Sequence, residues 1–119
     1  MRKILTYFLF SLSFTACDDI FEVGDISDNT VELLAPSDNS ILNILTPTFS
    51  WTPLEEAENY HLQIATPNFS EATQIVLDTL VTESNYAVSL DTIAYQWRVR
   101  AENSGYQTDY TTQSFSIEE

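Results

Sequence analysis

Apolar and polar residues alternate without a break from Tyr95 to Glu102. Tyr95, Trp97, Val99 and Ala101 interleave with Gln96, Arg98, Arg100 and Glu102. Side chains in a strand repeat every two residues, so this stretch predicts a half-buried strand with an apolar inner face and a polar outer one. Shorter runs of the same kind predict strands over Val31–Leu34, Thr48–Trp51, Tyr60–Ala65, Gln74–Leu77, Tyr86–Val88 and Gln113–Ile117. Turn clusters at Ala35–Ser40 and Thr66–Asn68 separate them, Pro53 closes the second strand, and Leu54–Asn59 reads as a polar loop. No segment carries sustained helical periodicity. Seven short strands at this spacing predict an all-β, two-sheet sandwich. Its expected core is Leu33, Phe49, Trp51, Tyr60, Leu62, Ile64, Val76, Tyr86, Val88, Leu90, Tyr95, Trp97, Val99, Phe115 and Ile117. A buried tyrosine needs a partner for its hydroxyl, and Tyr95 at a strand start is placed to bond back to the preceding backbone.

The pattern Tyr95-x-Trp97-x-Val99-x-Ala101-x-Asn103, followed by Gly105, resembles the sixth strand of fibronectin type III-like domains. Phe49-Ser-Trp51 resembles the second strand of that family with its core Trp, Tyr60–Ile64 resembles the third, and Leu90 resembles the core Leu ahead of the sixth. Leu90 stands five residues before Tyr95, where the family more often has six, which implies a tighter turn. The resemblance covers Val31 to Ile117 and implies a seven-stranded immunoglobulin-like sandwich. It implies no particular function, because this fold hosts many. The Tyr-x-Trp-Arg-Val-Arg-Ala version is similar to the bacterial, extracytoplasmic branch.

Ahead of the sandwich, Met1–Ala16 reads as a secretory leader. Arg2 and Lys3 supply the positive start, Ile4–Phe14 the apolar core, and Thr15 and Ala16 the small residues beside a cut. The apolar run is shorter than the roughly 20 residues a spanning helix needs. Phe14-Thr-Ala-Cys17 resembles a bacterial lipobox, with Phe14 where that family prefers Leu. The resemblance implies cleavage before Cys17 and lipid on its thiol, hence a covalent membrane attachment. Residues 17–30 follow as an acidic stretch, expected to be a solvated tether, and the domain is expected over 31–119.

Charge narrows the function. The 119-residue chain has 18 acidic and 4 basic side chains, net −14. Removing the leader takes away Arg2 and Lys3 and leaves 2 basic against 18 acidic, net −16, with Arg98 and Arg100 the remaining cations. Nucleic acid and anionic lipid surfaces both require Lys and Arg to meet their phosphates, so neither is an expected partner. The single cysteine, Cys17, allows no internal disulfide, so packing alone must hold the sandwich.

Catalytic chemistry is not legible. His61 is the one histidine and falls on the outer face of its strand. No Gly-x-Ser-x-Gly elbow exists, and the two glycines, Gly24 and Gly105, make no phosphate loop. Metal sites need several His, Cys or carboxylate ligands together. No cofactor and no enzyme activity are expected. Arg98 and Arg100, two apart on one face, raise the question of an anion site. Pairing with local carboxylates is the expected outcome in so acidic a chain. Asp78-Thr79-Leu80 and Asp91-Thr92-Ile93 resemble a short O-glycosylation sequon of some Gram-negative bacteria, which makes Thr79 and Thr92 candidate acceptors. Asn68-Phe-Ser70 matches the N-linked sequon.

Two readings of function follow. One is a lipid-anchored envelope or cell-surface module, outer membrane by expectation, with a scaffold or protein-interaction role. The other is a small carbohydrate-binding protein that uses the loop aromatics Phe69, Tyr106 and Tyr110 as stacking platforms. Coplanar, open rings favour sugar, and covered rings favour a scaffold. The expected topology puts the N-terminal end beside Thr52–Asn59 and Asn103–Tyr110. It puts Phe69 at the opposite pole, pointing away from the membrane, and makes it more accessible to a large partner than Tyr106 or Tyr110.

Overall fold

The computed structural model describes residues 23–119, and the leader, the lipobox and Cys17 lie outside the described residues. Eight strands run β1 (Leu33–Ala35), β2 (Ser40–Leu42), β3 (Thr48–Trp51), β4 (Asn59–Thr66), β5 (Gln74–Val81), β6 (Asn85–Ala87), β7 (Ala94–Glu102) and β8 (Thr111–Ile117). They form a three-stranded sheet, β1-β3-β6, and a five-stranded sheet, β2-β8-β7-β4-β5. All pairings are antiparallel except β2 with β8.

The alternation along β7 appears in the structure as read from the sequence. Tyr95, Trp97, Val99 and Ala101 are buried, while Gln96, Arg98, Arg100 and Glu102 are half-buried on the outer face. Trp97 carries the inter-sheet contact, with its ring edge-on to Phe49 of β3 at 5.0 Å. Phe49 also meets Phe115 of β8 at 5.6 Å, and Trp51 meets Tyr60 at 5.6 Å and Trp97 at 6.5 Å. Such edge and tilted pairings suit the quadrupole of aromatic rings and add to the area they bury. The Trp97 indole N–H donates to the carbonyl of Pro36 at 3.3 Å, while the Trp51 indole nitrogen has no partner among the described residues. The Tyr95 hydroxyl donates to the Asp91 carbonyl and accepts the Asp91 N–H, both at 2.9 Å, the tyrosine-corner bond expected of it. Burial pushes its phenol pKa up.

Four expectations change. The strand count is eight, not seven. Asn39 takes a left-handed φ of 63° at the end of the Pro36–Asn39 turn and sends the chain across to the other sheet. There its N–H bonds the Ser114 carbonyl at 2.6 Å, and Asp38 accepts the Ser114 N–H at 2.9 Å. Ser40–Leu42 then extends β8 in parallel. Second, Val76, Tyr86 and Val88 only flank the core, while Ile26, Val31, Ala65, Val81 and Ala101 are buried in addition to the expected set. Third, packing begins before Val31. Ile26 is 2% exposed, and the Gly24 carbonyl accepts the Asn103 side-chain N–H at 2.9 Å. The described part of the expected tether therefore lies against the domain. Fourth, Phe69 and Tyr110, expected at opposite poles, both reach the same side chain on the outer face of β7, and Tyr106 is the most exposed of the three rings.

Trp51 is 1% exposed at the centre of this aromatic group. Removing a buried Trp typically costs about 3–5 kcal/mol, against a total of about 5–15 for a domain. Trp51→Ala is expected to lower the urea midpoint drastically or abolish cooperative unfolding. A midpoint near that of the parent protein would show that Trp51 is not core.

Candidate functional site, an arginine held between two rings on the outer sheet face

Cross-strand register sets out the outer face of the five-stranded sheet in three rows. Leu80, His61 and Arg100 form one. Asp78, Gln63, Arg98 and Thr112 form the next, and Ile75, Ala65, Gln96 and Ser114 the third. Directly opposed residues share a face, so these side chains are neighbours by construction.

Two loops close over the middle row. The β4–β5 loop is tied at its base by Thr73, whose N–H and hydroxyl both donate to the Thr66 carbonyl at 2.8 and 2.9 Å. Thr66 itself donates to the Ala94 carbonyl at 2.6 Å. Asn68 folds the loop tip by accepting the Ser70 hydroxyl at 3.1 Å and the Glu71 N–H at 2.8 Å, an Asx-type turn. The Phe69 N–H then donates to Gln96 at 3.0 Å, which fixes Phe69 beside the outer face of β7. On the other side, the β7–β8 turn is held by two residues. Asn103 accepts the Gly105 and Tyr106 N–H groups at 3.0 and 2.8 Å and donates to the carbonyls of Gly24 and Glu56 at 2.9 and 3.1 Å. Buried Thr108 accepts the Ala101 N–H at 3.0 Å and donates to the Asp109 carbonyl at 2.8 Å. Tyr110 follows, immediately before β8, and reaches back to Arg98 and Arg100 on the face.

The result is a sandwich. The Arg98 guanidinium carbon sits 4.0 Å from the centroid of Phe69 and 4.3 Å from that of Tyr110. Its Nε–H donates to Gln63 at 2.7 Å. Arg100 lies 4.8 Å from the Tyr110 centroid and donates from Nε to Glu102 at 2.8 Å. A guanidinium over an aromatic face is attracted by the ring quadrupole, by about 0.5–1 kcal/mol at exposed sites. The expected carboxylate pairing therefore holds for Arg100, within its own strand. It does not hold for Arg98, which has no carboxylate within 4.0 Å among the described residues.

His61 completes the strip. Its Nε2 meets the Asp78 carboxylate, which only accepts, so Nε2 donates there. Nδ1 lies 3.2 Å from the Tyr110 hydroxyl and 3.7 Å from Glu102. The hydrogen bond from His61 holds the Asp78 carboxyl below its ordinary pKa. Burial pushes the Tyr110 phenol up, with Arg100 and Arg98 pulling it the other way. Among the described residues no serine or threonine hydroxyl hydrogen-bonds His61, and no group of three His, Cys, Asp or Glu side chains could hold a metal ion.

The candidate residues thus separate. Phe69 and Tyr110 come together through Arg98, whose guanidinium carbon lies over each ring, and both residues are half-buried. Tyr106 stands apart, 41% exposed, beside a shallow depression with Val23, Gly24, Asp25 and Gly105. Thr92 is exposed in the turn before β7, whereas Thr79 is half-buried in the β5 ladder opposite Leu62. The ring–guanidinium sandwich was not read from the sequence. The outward Arg98 was legible in the period-two pattern, but the return of both loops was not. Among the described residues no helix is long and apolar enough to cross a membrane.

A depressed carboxyl stabilises the fold above its unfolded pKa of about 3.9. That contribution is lost as the pH falls through the folded value. The carboxylate is mostly solvated, so the effect is small. The Asp78 side-chain carboxyl is expected to titrate below free Asp by NMR, and Asp78→Asn to remove its share of the acid-side loss of stability. A midpoint at or above the ordinary Asp value would contradict the His61 contact.

No family model and no curated protein matches the chain. Solved structures do. A fibronectin type III domain from human KIAA0970 protein superposes with a TM-score of 0.60 at 15% identity, covering 90% of this chain and 86% of that one. Clostridium thermocellum CbhA fibronectin(III)-like modules match at 0.55 and 10% identity, over 75% of this chain and 96% of that one. The FN3tt domain matches at 0.54 and 19% identity, over 75% and 97%. At these identities the likeness concerns the fold: residues 23–119 form a single fibronectin type III-like sandwich, with eight strands in this chain.

Proposed function

We propose that the protein is a non-catalytic interaction or scaffold module, held at the cell envelope by lipid on Cys17 and displayed from the outer membrane. One observation carries the interaction reading: the outer face of the five-stranded sheet bears a constructed strip rather than a cleft. Two loops, each fixed by its own side-chain hydrogen bonds, deliver Phe69 and Tyr110 to the Arg98 guanidinium. Arg and Tyr are over-represented where protein interfaces concentrate their energy. The carbohydrate reading is supported less. Of its three rings, two face a guanidinium, which leaves Tyr106 alone beside its depression.

The lipid reading rests on the lipobox-like Phe14-Thr-Ala-Cys17 and the leader ahead of it. Gly24 already bonds Asn103, so at most Asp18–Val23 separates the proposed anchor from the fold. At ~3.3 Å per residue that is a reach of about 20 Å. The short reach supports a domain held with its Asn103–Asp109 end towards the membrane and its Thr92 end away. Thr92 is accordingly the better placed of the two sequon-like hydroxyls.

Mass spectrometry of the N-terminus from the native envelope is expected to find acylated Cys17, and Cys17→Ser to leave the protein unprocessed or soluble. A native chain starting elsewhere with an unmodified residue would remove the anchor. Chemical cross-linking in the native envelope, followed by purification, is expected to retain a protein partner. Recovery of the uncross-linked chain alone would count against the interaction role.

A further inference from the structure

Resting on the interaction reading, we propose that Arg98 is a receptor for one carboxylate, presented by a partner protein whose docking surface is otherwise basic. The charge on this face is unusual in where it is left unpaired. Residues 23–119 hold 15 acidic and two basic side chains. Arg100 is bound to Glu102 and His61 to Asp78. Among the described residues Arg98 alone carries full positive charge without a carboxylate within 4.0 Å.

Its surroundings dictate how a ligand can reach it. The guanidinium carbon lies over the Phe69 ring at 4.0 Å and over the Tyr110 ring at 4.3 Å, so two rings crowd the approach to it. Gln63 takes Nε–H, and the Nη groups have no acceptor among the described residues. The Nη groups are the donors left for a ligand. Two parallel N–H groups there match the two oxygens of a carboxylate, in the end-on bidentate arrangement that arginine makes and lysine cannot. The rings and Gln63 already fix the side-chain rotamer, so little conformational freedom is left to lose on binding.

The field of the domain selects the rest of the partner. A polyanion or a doubly charged phosphate would gain at Arg98 and lose against the surrounding carboxylates. A basic surface gains everywhere else, and its single acid then fixes the register. The face also suits a protein in shape and polarity. Exposed apolar side chains stand on both flanks: Ile75 (49%) and Leu80 (59%) on β5, and Ile41 (67%) on β2. Register puts all three on the same face as Arg98, in the rows of Gln96, Arg100 and Ser116. A central Arg and Tyr flanked by apolar contacts is the arrangement of a protein interface.

The test uses two lysine-bearing peptides that differ in one central residue, Glu in one and Gln in the other. Each is titrated into the full chain while the Arg98 Nε–H signal is followed by NMR. A charge-assisted pair predicts that the Glu peptide binds about tenfold tighter and shifts the Arg98 signal saturably. Arg98→Gln, checked by thermal melting to be folded, is expected to abolish that preference, and Arg98→Lys to retain only part of it. Equal binding of the two peptides, or a preference that survives Arg98→Gln, overturns the proposal. So does an Arg98 shift produced by glucuronate and by neither peptide, which would make the ligand an acidic sugar. A partner captured from the native envelope as strongly by Arg98→Gln as by the parent chain would leave the module reading standing and remove this one.

Discussion

The edge-on contact between Phe49 and Trp97 joins the two sheets, and most of the structure depends on it. With one cysteine in the chain, no cross-link can substitute for packing. Trp97 stands at the middle of β7, flanked inward by Tyr95, Val99 and Ala101. Once these four point in, the geometry of a strand leaves Gln96, Arg98, Arg100 and Glu102 no choice but to point out. The core and the outer strip are therefore two consequences of one alternation. A shift of β7 by one residue would bury two arginines and expose two aromatic rings.

The outer strip is secured from the flanks. Gln96 takes the Phe69 N–H on one side and donates to Ser114 on the other, so one polar side chain links the β4–β5 loop to β8. Asn103 links the N-terminal segment, the β3–β4 turn and the β7–β8 turn through four hydrogen bonds. These polar groups hold the loops that carry Phe69 and Tyr110, and the rings in turn hold Arg98. Residues that resemble family consensus positions, Tyr95 and Asn103 among them, here serve to fix loops. Of the residues they help to display, Arg98 belongs to the Tyr-x-Trp-Arg-Val-Arg-Ala pattern, while Phe69 and Tyr110 lie outside the motifs that carry the resemblance.

Much of the fold was legible in the sequence because two-sided strands write their own pattern. β3 and β7 alternate cleanly, and β4 does so as far as Ile64, where a register shift follows and Ala65 and Thr66 are buried as well. β2 was missed because Ser40–Leu42 is short and follows a dense turn cluster; its partner β8 lies over 70 residues away, and nothing local announces a parallel pairing. Ile26 was missed because acidic neighbours made its segment look solvated, although a single apolar residue is enough to anchor a segment when a core pocket receives it. The candidate site was half legible. Arg98 could be placed outward, but its expected carboxylate is absent, and the rings that replace it come from loops whose course is set by tertiary hydrogen bonds.

The central claim is that β7 joins a packed core to a built outer site. The most direct measurement is the NMR chemical shift of the Arg98 side-chain methylene protons. Two rings packed at the guanidinium end of the side chain predict upfield shifts relative to a free arginine, strongest at the adjacent Cδ methylene, reduced in part by Phe69→Leu and in part by Tyr110→Leu, with the backbone amide pattern of the sandwich preserved. Methylene shifts at free-arginine values, unchanged by either substitution, would contradict the account.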